Sequence, residues 1–260
     1  MTDPSDPRRA TRQTYLLDFA EGGPLRLDLP VPEGPVDLLD MLPPIRLMAD
    51  AVFARGTETA TRDGRTISCG PGCEACCNQL VPVSREEGLA LARSVRALPG
   101  PRRREVTDRF RRTVAALEEA GLLDRLARDF TERIHEHGVL SRLQRDYWAL
   151  ALPCPFLENG SCSIHPARPV ICRQYSVTSA PALCARPFEP GVRLEEVRQP
   201  MDLAGALAAF DGARARPTRA LPLSLCLLLE KTNEAGPLPQ VPGPEMLSRF
   251  LELASRFTDR

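Results

Sequence analysis

Seven of the chain's nine cysteines fall in two short stretches, "CGPGCEACC" at residues 69–77 and "CPFLENGSCSIHPARPVIC" at residues 154–172. Runs so rich in Gly, Pro and Cys do not sustain a helix or a strand, because Gly and Pro break both hydrogen-bond ladders. Two irregular loops are therefore fixed points around which any fold must be built. Thiols crowded this way in a reducing compartment favour metal binding over disulfides. The odd cysteine total and the adjacent Cys76–Cys77 pair fit a disulfide framework badly.

The spacings carry the chemistry. Cys73 and Cys76 are separated by two residues, which lets two thiolates chelate one ion from a tight turn, and Cys69 stands four residues before Cys73. In the second stretch Asn159-Gly160 is a two-residue hairpin signal that folds Cys154 back towards Cys162. Pro169 then suits the first turn of a short helix that presents Cys172. Adjacent side chains seldom face one ion, so Cys76 and Cys77 imply two metal positions or one polynuclear cluster. Cys184 raises the candidate ligands to eight, enough for two tetrathiolate sites. Each such site is dianionic with zinc, and Arg168 and Arg173 flank the cluster as candidate N–H···S donors around it. His165 reads as a capping or surface residue rather than a ligand, and His135 and His137 as solvated. Cys226, inside "LSLCLLL", reads as a buried apolar side chain.

Helical periodicity flanks each loop. Residues 1–12 read as a disordered tail, and "TYLLDF" and "LRLDLPV" as a short hairpin. A helix is expected over 44–61. Ser84 and Glu87 form a capping-box pattern that starts a second helix, stopped by Pro99-Gly100. Helical stripes continue over 102–137 with Gly121 between them, and the arginines of "RRREVTDRFRR" are expected on the solvated face. "VLSRLQRDYWALAL" is amphipathic, and further helices are expected over 200–214, 221–232 and 244–257. The fold class that results is mainly α. A single helical domain spans 13–260 around two irregular cysteine-rich metal-binding loops, with a short N-terminal β-hairpin.

Composition then narrows the function. The 260 residues are 43% hydrophobic, enough for a real core, and carry 34 basic and 34 acidic side chains. A net charge of zero argues against nucleic acid as a partner, since phosphate binding draws on a basic surplus. Lys231 is the single lysine, so it is the one candidate for Schiff-base chemistry. The polar N-terminus lacks the apolar core of a secretory signal, and no apolar run approaches the ~18 residues of a membrane span. A cytoplasmic protein without a membrane partner is expected.

At "CGPGCEACC", followed by "VPVSREEGLALA" and later by "CPFLENGSCSIHPARPVICRQY", the chain resembles the CxxCxxCC family, also called YkgJ-type cysteine-cluster proteins and described as zinc- or iron-chelating domains. The resemblance spans roughly residues 45–185, leaving 186–260 as C-terminal helices. Two departures are the three-residue gap after Cys69, where many members have two, and His165, where tyrosine is common. The resemblance implies bound zinc or iron, the iron as an ion or as an iron–sulfur cluster, and no fixed reaction. Flagellin lysine methylases are similar to the family in carrying this signature. Three readings stay open: a metal-binding protein with an unidentified protein partner, an iron–sulfur-dependent enzyme such as a protein-lysine methyltransferase, or a metal-handling or redox-sensing protein. No nucleotide-binding motif supports the second, while eight ligands exceed what one structural site needs.

Overall fold

The computed structural model describes residues 6, 8–19, 23–70, 72–132, 136–229 and 237–258. Strands β1 (Ala10–Leu17) and β2 (Leu25–Pro32) pair antiparallel, from Ala10↔Pro32 to Leu17↔Leu25, as the expected hairpin. The first strand begins inside the segment expected to be tail, because residues 10–12 find ladder partners in Pro30, Val31 and Pro32. Leu27, Leu29 and Val31 point inward while Arg26 and Asp28 face solvent, so alternation sets the register.

After β3 (Pro35–Val36), Asp37 caps helix α1 (Leu38–Arg62), accepting from the Leu39 N–H at 2.9 Å. This helix starts before the expected Pro44 and contains Pro43 and Pro44. Two backbone N–H groups are lost there. Burial of Leu38, Met41, Leu42, Ile45 and Met48 along one face offsets the loss. Strand β4 (Pro82–Ser84) leads into α2 (Arg85–Ala97) through the expected capping box: Ser84 Oγ accepts from the Glu87 N–H at 3.1 Å.

Helices α3 (Gly100–Glu119) and α4 (Leu123–Glu132) follow, parted by Gly121 at φ +64°, and then α5 (Val139–Ala149). Val106, Phe110 and Leu117 are buried on α3, while Arg103, Arg104, Arg111 and Arg112 face solvent as expected. His137 is exposed, and His135 lies outside the described residues. Strands β5 (Leu157–Glu158) and β6 (Ser161–Cys162) form the hairpin read from Asn159-Gly160, whose φ angles of 49° and 72° are those of a type I′ turn.

Beyond them come α6 (Val170–Gln174), α7 (Pro181–Cys184), α8 (Leu203–Ala208), β7 (Ala220–Pro222), β8 (Val241–Pro242) and α9 (Gly243–Ala254). Strand β3 pairs with β8, and β4 with β7. The helix expected over 200–214 is cut to α8, since Gly212 turns at φ +99° and Phe210 bridges to Ala215. The helix expected over 221–232 is instead β7 and a 3₁₀ turn at Leu223–Leu225, with 230–236 outside the described residues. An apolar run buried on all sides has no periodicity to tell strand from helix, and Val83↔Leu221 pairing decides it.

Three apolar clusters hold these elements. One joins β2, α1, α8 and α9; a second joins α3, α4 and α5. The third packs α2 and α3 on Phe156, which meets Phe110 edge-on at 5.4 Å, within the second cysteine stretch. Cys226 is fully buried there, as expected of an apolar filler. Cys226→Ala is expected to lower unfolding stability by about 1–2 kcal/mol and leave metal content unchanged. Urea unfolding beside metal analysis of the same sample checks both. Among the described residues no helix is long and apolar enough to cross a membrane.

Candidate metal centre

Three backbone anchors bring the cysteine segments together. Ser68 runs beside the chain after α6, donating its N–H to Val177 O at 2.9 Å, and the Val177 N–H donates to Cys69 Sγ at 3.4 Å. A turn at Gly72, with φ +85°, leads to Cys73 and then to a 3₁₀ turn, Ala75–Asn78, that carries Cys76 and Cys77. The Cys154 N–H donates to Cys77 O at 2.7 Å, so the second stretch docks directly on the first. Cys162 sits on β6 and Cys172 on α6, while α7, which ends in Cys184, packs against the 3₁₀ turn.

Electrostatic contacts divide the thiols into two groups. Cys69 feels Cys73 and Cys76, and Cys184 feels Cys69, Cys73 and Cys76. Cys154 feels Cys162 and Cys76, and Cys172 feels Cys154, Cys76 and Cys162. Cys76 is common to both groups, and its thiol is hydrogen-bonded to Cys77. Burial pushes Cys69, Cys162 and Cys184 above the ordinary thiol value, Cys154 up to about 12, and Cys172 well above it. Cys76 is raised chiefly by its hydrogen bond to Cys77, then by burial. A cluster of soft sulfur donors that disfavours its own charge fits zinc or iron, whose positive charge stabilises thiolates. Among the described residues no three Cys, His, Asp or Glu side chains already stand in the spacing that closes on one ion.

The surroundings of the second stretch are pinned by charges the sequence did not single out. Glu87 is fully buried and accepts from the Val170 N–H at 2.7 Å, fixing the start of α6 two residues before Cys172. Burial pushes its carboxyl up; hydrogen bonds from Val170 and Ser84 and the nearby Arg46 pull it back. Arg173, expected to contact sulfur, sends Nη1 to both oxygens of Asp50 on α1 at 2.8 and 2.7 Å. Its Nε goes to Arg168 O at 3.1 Å and its Nη2 to Pro166 O. Its charge thus holds the loop before α6 against α1. Arg168 is the arginine whose charge acts on both Cys76 and Cys162, and its buried Nε has no hydrogen-bond partner among the described residues. His165 is exposed on a 3₁₀ turn, its pKa lowered by Arg168.

Two arginines of α3 depart from the solvated reading. Arg102 and Arg109 both bind Glu158 on β5, Arg109 at 2.6 Å, and so brace the hairpin that carries Cys162. The sequence signal for Glu87 was present but local. Its capping role marks a helix start and says nothing of Val170, 83 residues away.

A family model described as "CxxCxxCC: Putative zinc- or iron-chelating domain" matches residues 68–190. This segment, a little under half of the chain, is similar to that family. It contains all eight candidate ligands, excludes Cys226, and begins later than the resemblance read from sequence. The three hydrogen-bond anchors at Ser68, Cys69 and Cys154 all lie within the matched segment, whereas Asp50 lies outside it. No curated protein and no solved structure matches the chain.

Proposed function

We propose that the chain chelates zinc or iron through Cys69, Cys73, Cys76, Cys77, Cys154, Cys162, Cys172 and Cys184, at two metal positions that share the Cys76–Cys77 turn. One position draws on Cys69, Cys73 and Cys184, the other on Cys154, Cys162 and Cys172. Each takes one thiolate of the adjacent pair. The observation that carries this reading is the Cys154–Cys77 backbone hydrogen bond, which docks the two cysteine stretches within a region matched as a zinc- or iron-chelating domain.

Coordination requires the first loop to draw its thiols inward. Gly70 and Gly72 have no neighbour within 4 Å of where a side chain would stand, which leaves room beside both for the backbone to shift. Arg168 supplies positive charge to the sulfur cluster, and its unpartnered Nε is a candidate donor to a thiolate. In this reading the protein is a single domain over 13–260 that works in the reducing cytoplasm, where its thiols stay available.

Anaerobic purification followed by metal analysis and a UV–visible spectrum tests the proposal. About two ions per chain are expected for zinc or mononuclear iron, and at least two irons at each position for an iron–sulfur cluster. A colourless protein assigns zinc, and a broad band near about 400 nm assigns iron–sulfur. A chain that holds neither metal overturns the proposal.

A further inference from the structure

Beside the candidate centre lies a cavity of about 250 Å³. Its walls come from just behind the cysteine-bearing segments: Gln79 follows Cys77, Tyr175 follows Cys172, and Phe188 follows Cys184. Glu196 is the one formally charged residue that lines it. Tyr175 is hydrogen-bonded to the Gln79 side chain and in electrostatic contact with Glu196, Cys184 and Cys76.

The backbone at Glu196 is held in place while its side chain is exposed. Its backbone bridges to Val177, and the next residue, Val197, donates its N–H to Ser176 O at 2.8 Å. The residue keeps access to water, and among the described residues no cation pairs with its carboxylate. A carboxylate on a held backbone, in a cavity lined by residues that neighbour the cysteine segments in sequence, is complementary to a cation on its way in.

We propose that this cavity is the vestibule through which the metal reaches the thiols, with Glu196 capturing a hydrated divalent cation and Tyr175 bordering the path to Cys76 and Cys184. The inference rests on the chelation reading above. Six water molecules at about 30 Å³ each occupy about 180 Å³, so a hydrated ion fits. One carboxylate oxygen donor holds such an ion weakly, and the sulfur donors beyond it hold zinc far more strongly. The ion therefore passes through rather than stays. Focusing of a cation into a cavity of this kind raises rates from about 10-fold upward.

The test uses the full chain with zinc as the probe. Two rates are measured: zinc transfer from the loaded protein to a chromophoric chelator, and reloading from free zinc ions. Glu196→Gln is expected to slow both by about tenfold while zinc per chain, equilibrium affinity and melting temperature stay unchanged. Glu196→Asp is expected to recover most of the rate. Wild-type rates in Glu196→Gln overturn the vestibule, as does a loss of zinc per chain, which would make Glu196 a ligand. A wild-type chain that retains neither zinc nor iron overturns the chelation reading itself, and the vestibule with it.

Discussion

Cys76→Ala is expected to lose more metal than any other single-cysteine variant. Its thiol neighbours both groups, Cys69, Cys73 and Cys184 on one side and Cys154, Cys162 and Cys172 on the other. Removing a thiol from one group empties that position and leaves the other filled, so alanine at any of those six is expected to remove about half the metal. Cys77→Ala should resemble them. Cys76→Ala empties its own position and, because its thiol also acts on cysteines of the other group, weakens the second, so it should retain well under half. Mass spectrometry of metal per chain across the variants measures this directly. Full retention in both Cys76→Ala and Cys77→Ala would rule out a shared turn, and a single mononuclear ion per wild-type chain would rule out two positions.

Metal removal under reducing conditions is the second large effect, expected to lower the melting temperature by about 10 °C or more. Structural zinc contributes about 10–16 kcal/mol in small domains, and each kcal/mol moves the melt of a chain this size by about 2–4 °C. The figure stays at the low end because two of the three apolar clusters contain no candidate thiol and should keep their helices folded, while the third packs against Cys154. The pH dependence follows from the raised thiols. Near neutral pH, Cys154 and Cys172 hold their protons in the metal-free chain, so each must release one when metal binds. Acidification returns those protons, and metal affinity is expected to fall about tenfold per pH unit for each proton displaced. The metal-free chain behaves oppositely. As pH rises past the ordinary thiol value towards about 12, the unfolded state ionises first and the fold loses stability. An unchanged melt after verified metal removal would show that the loops add nothing to the fold.

What the sequence made legible was local. The Ser84–Glu87 capping box, the Asn159-Gly160 turn and the Gly121 break between α3 and α4 each depend on residues within a few positions, and all three stand where they were read. The start of α1 was hidden by Pro43 and Pro44, whose local cost is outweighed by a buried face. Residues 221–225 took strand and 3₁₀ form through pairing with β4, a partner far away in the chain. For the site, spacing picked out the thiols, and the family match encloses all eight. It missed the charges that position them. Glu87 and Val170, Asp50 and Arg173, and Arg102 and Glu158 are separated by 83, 123 and 56 residues. No periodicity or motif links partners at such distances.

The Arg173–Asp50 pair has a consequence for where this protein can be cut. Residues 68–190 hold every candidate thiol, and they look like a portable module. Yet Arg173 is buried, and its carboxylate partner lies on α1, upstream of that segment. Glu86, also fully buried, is bound by Arg216, downstream of it. Excising the segment would strand the buried Arg173 cation at one boundary and leave the buried Glu86 with Arg85 as its remaining ion-pair partner at the other, and an unpaired buried charge is among the costlier losses a fold can suffer. The eight candidate thiols all lie within the matched segment, but the electrostatic frame around them extends past both of its ends.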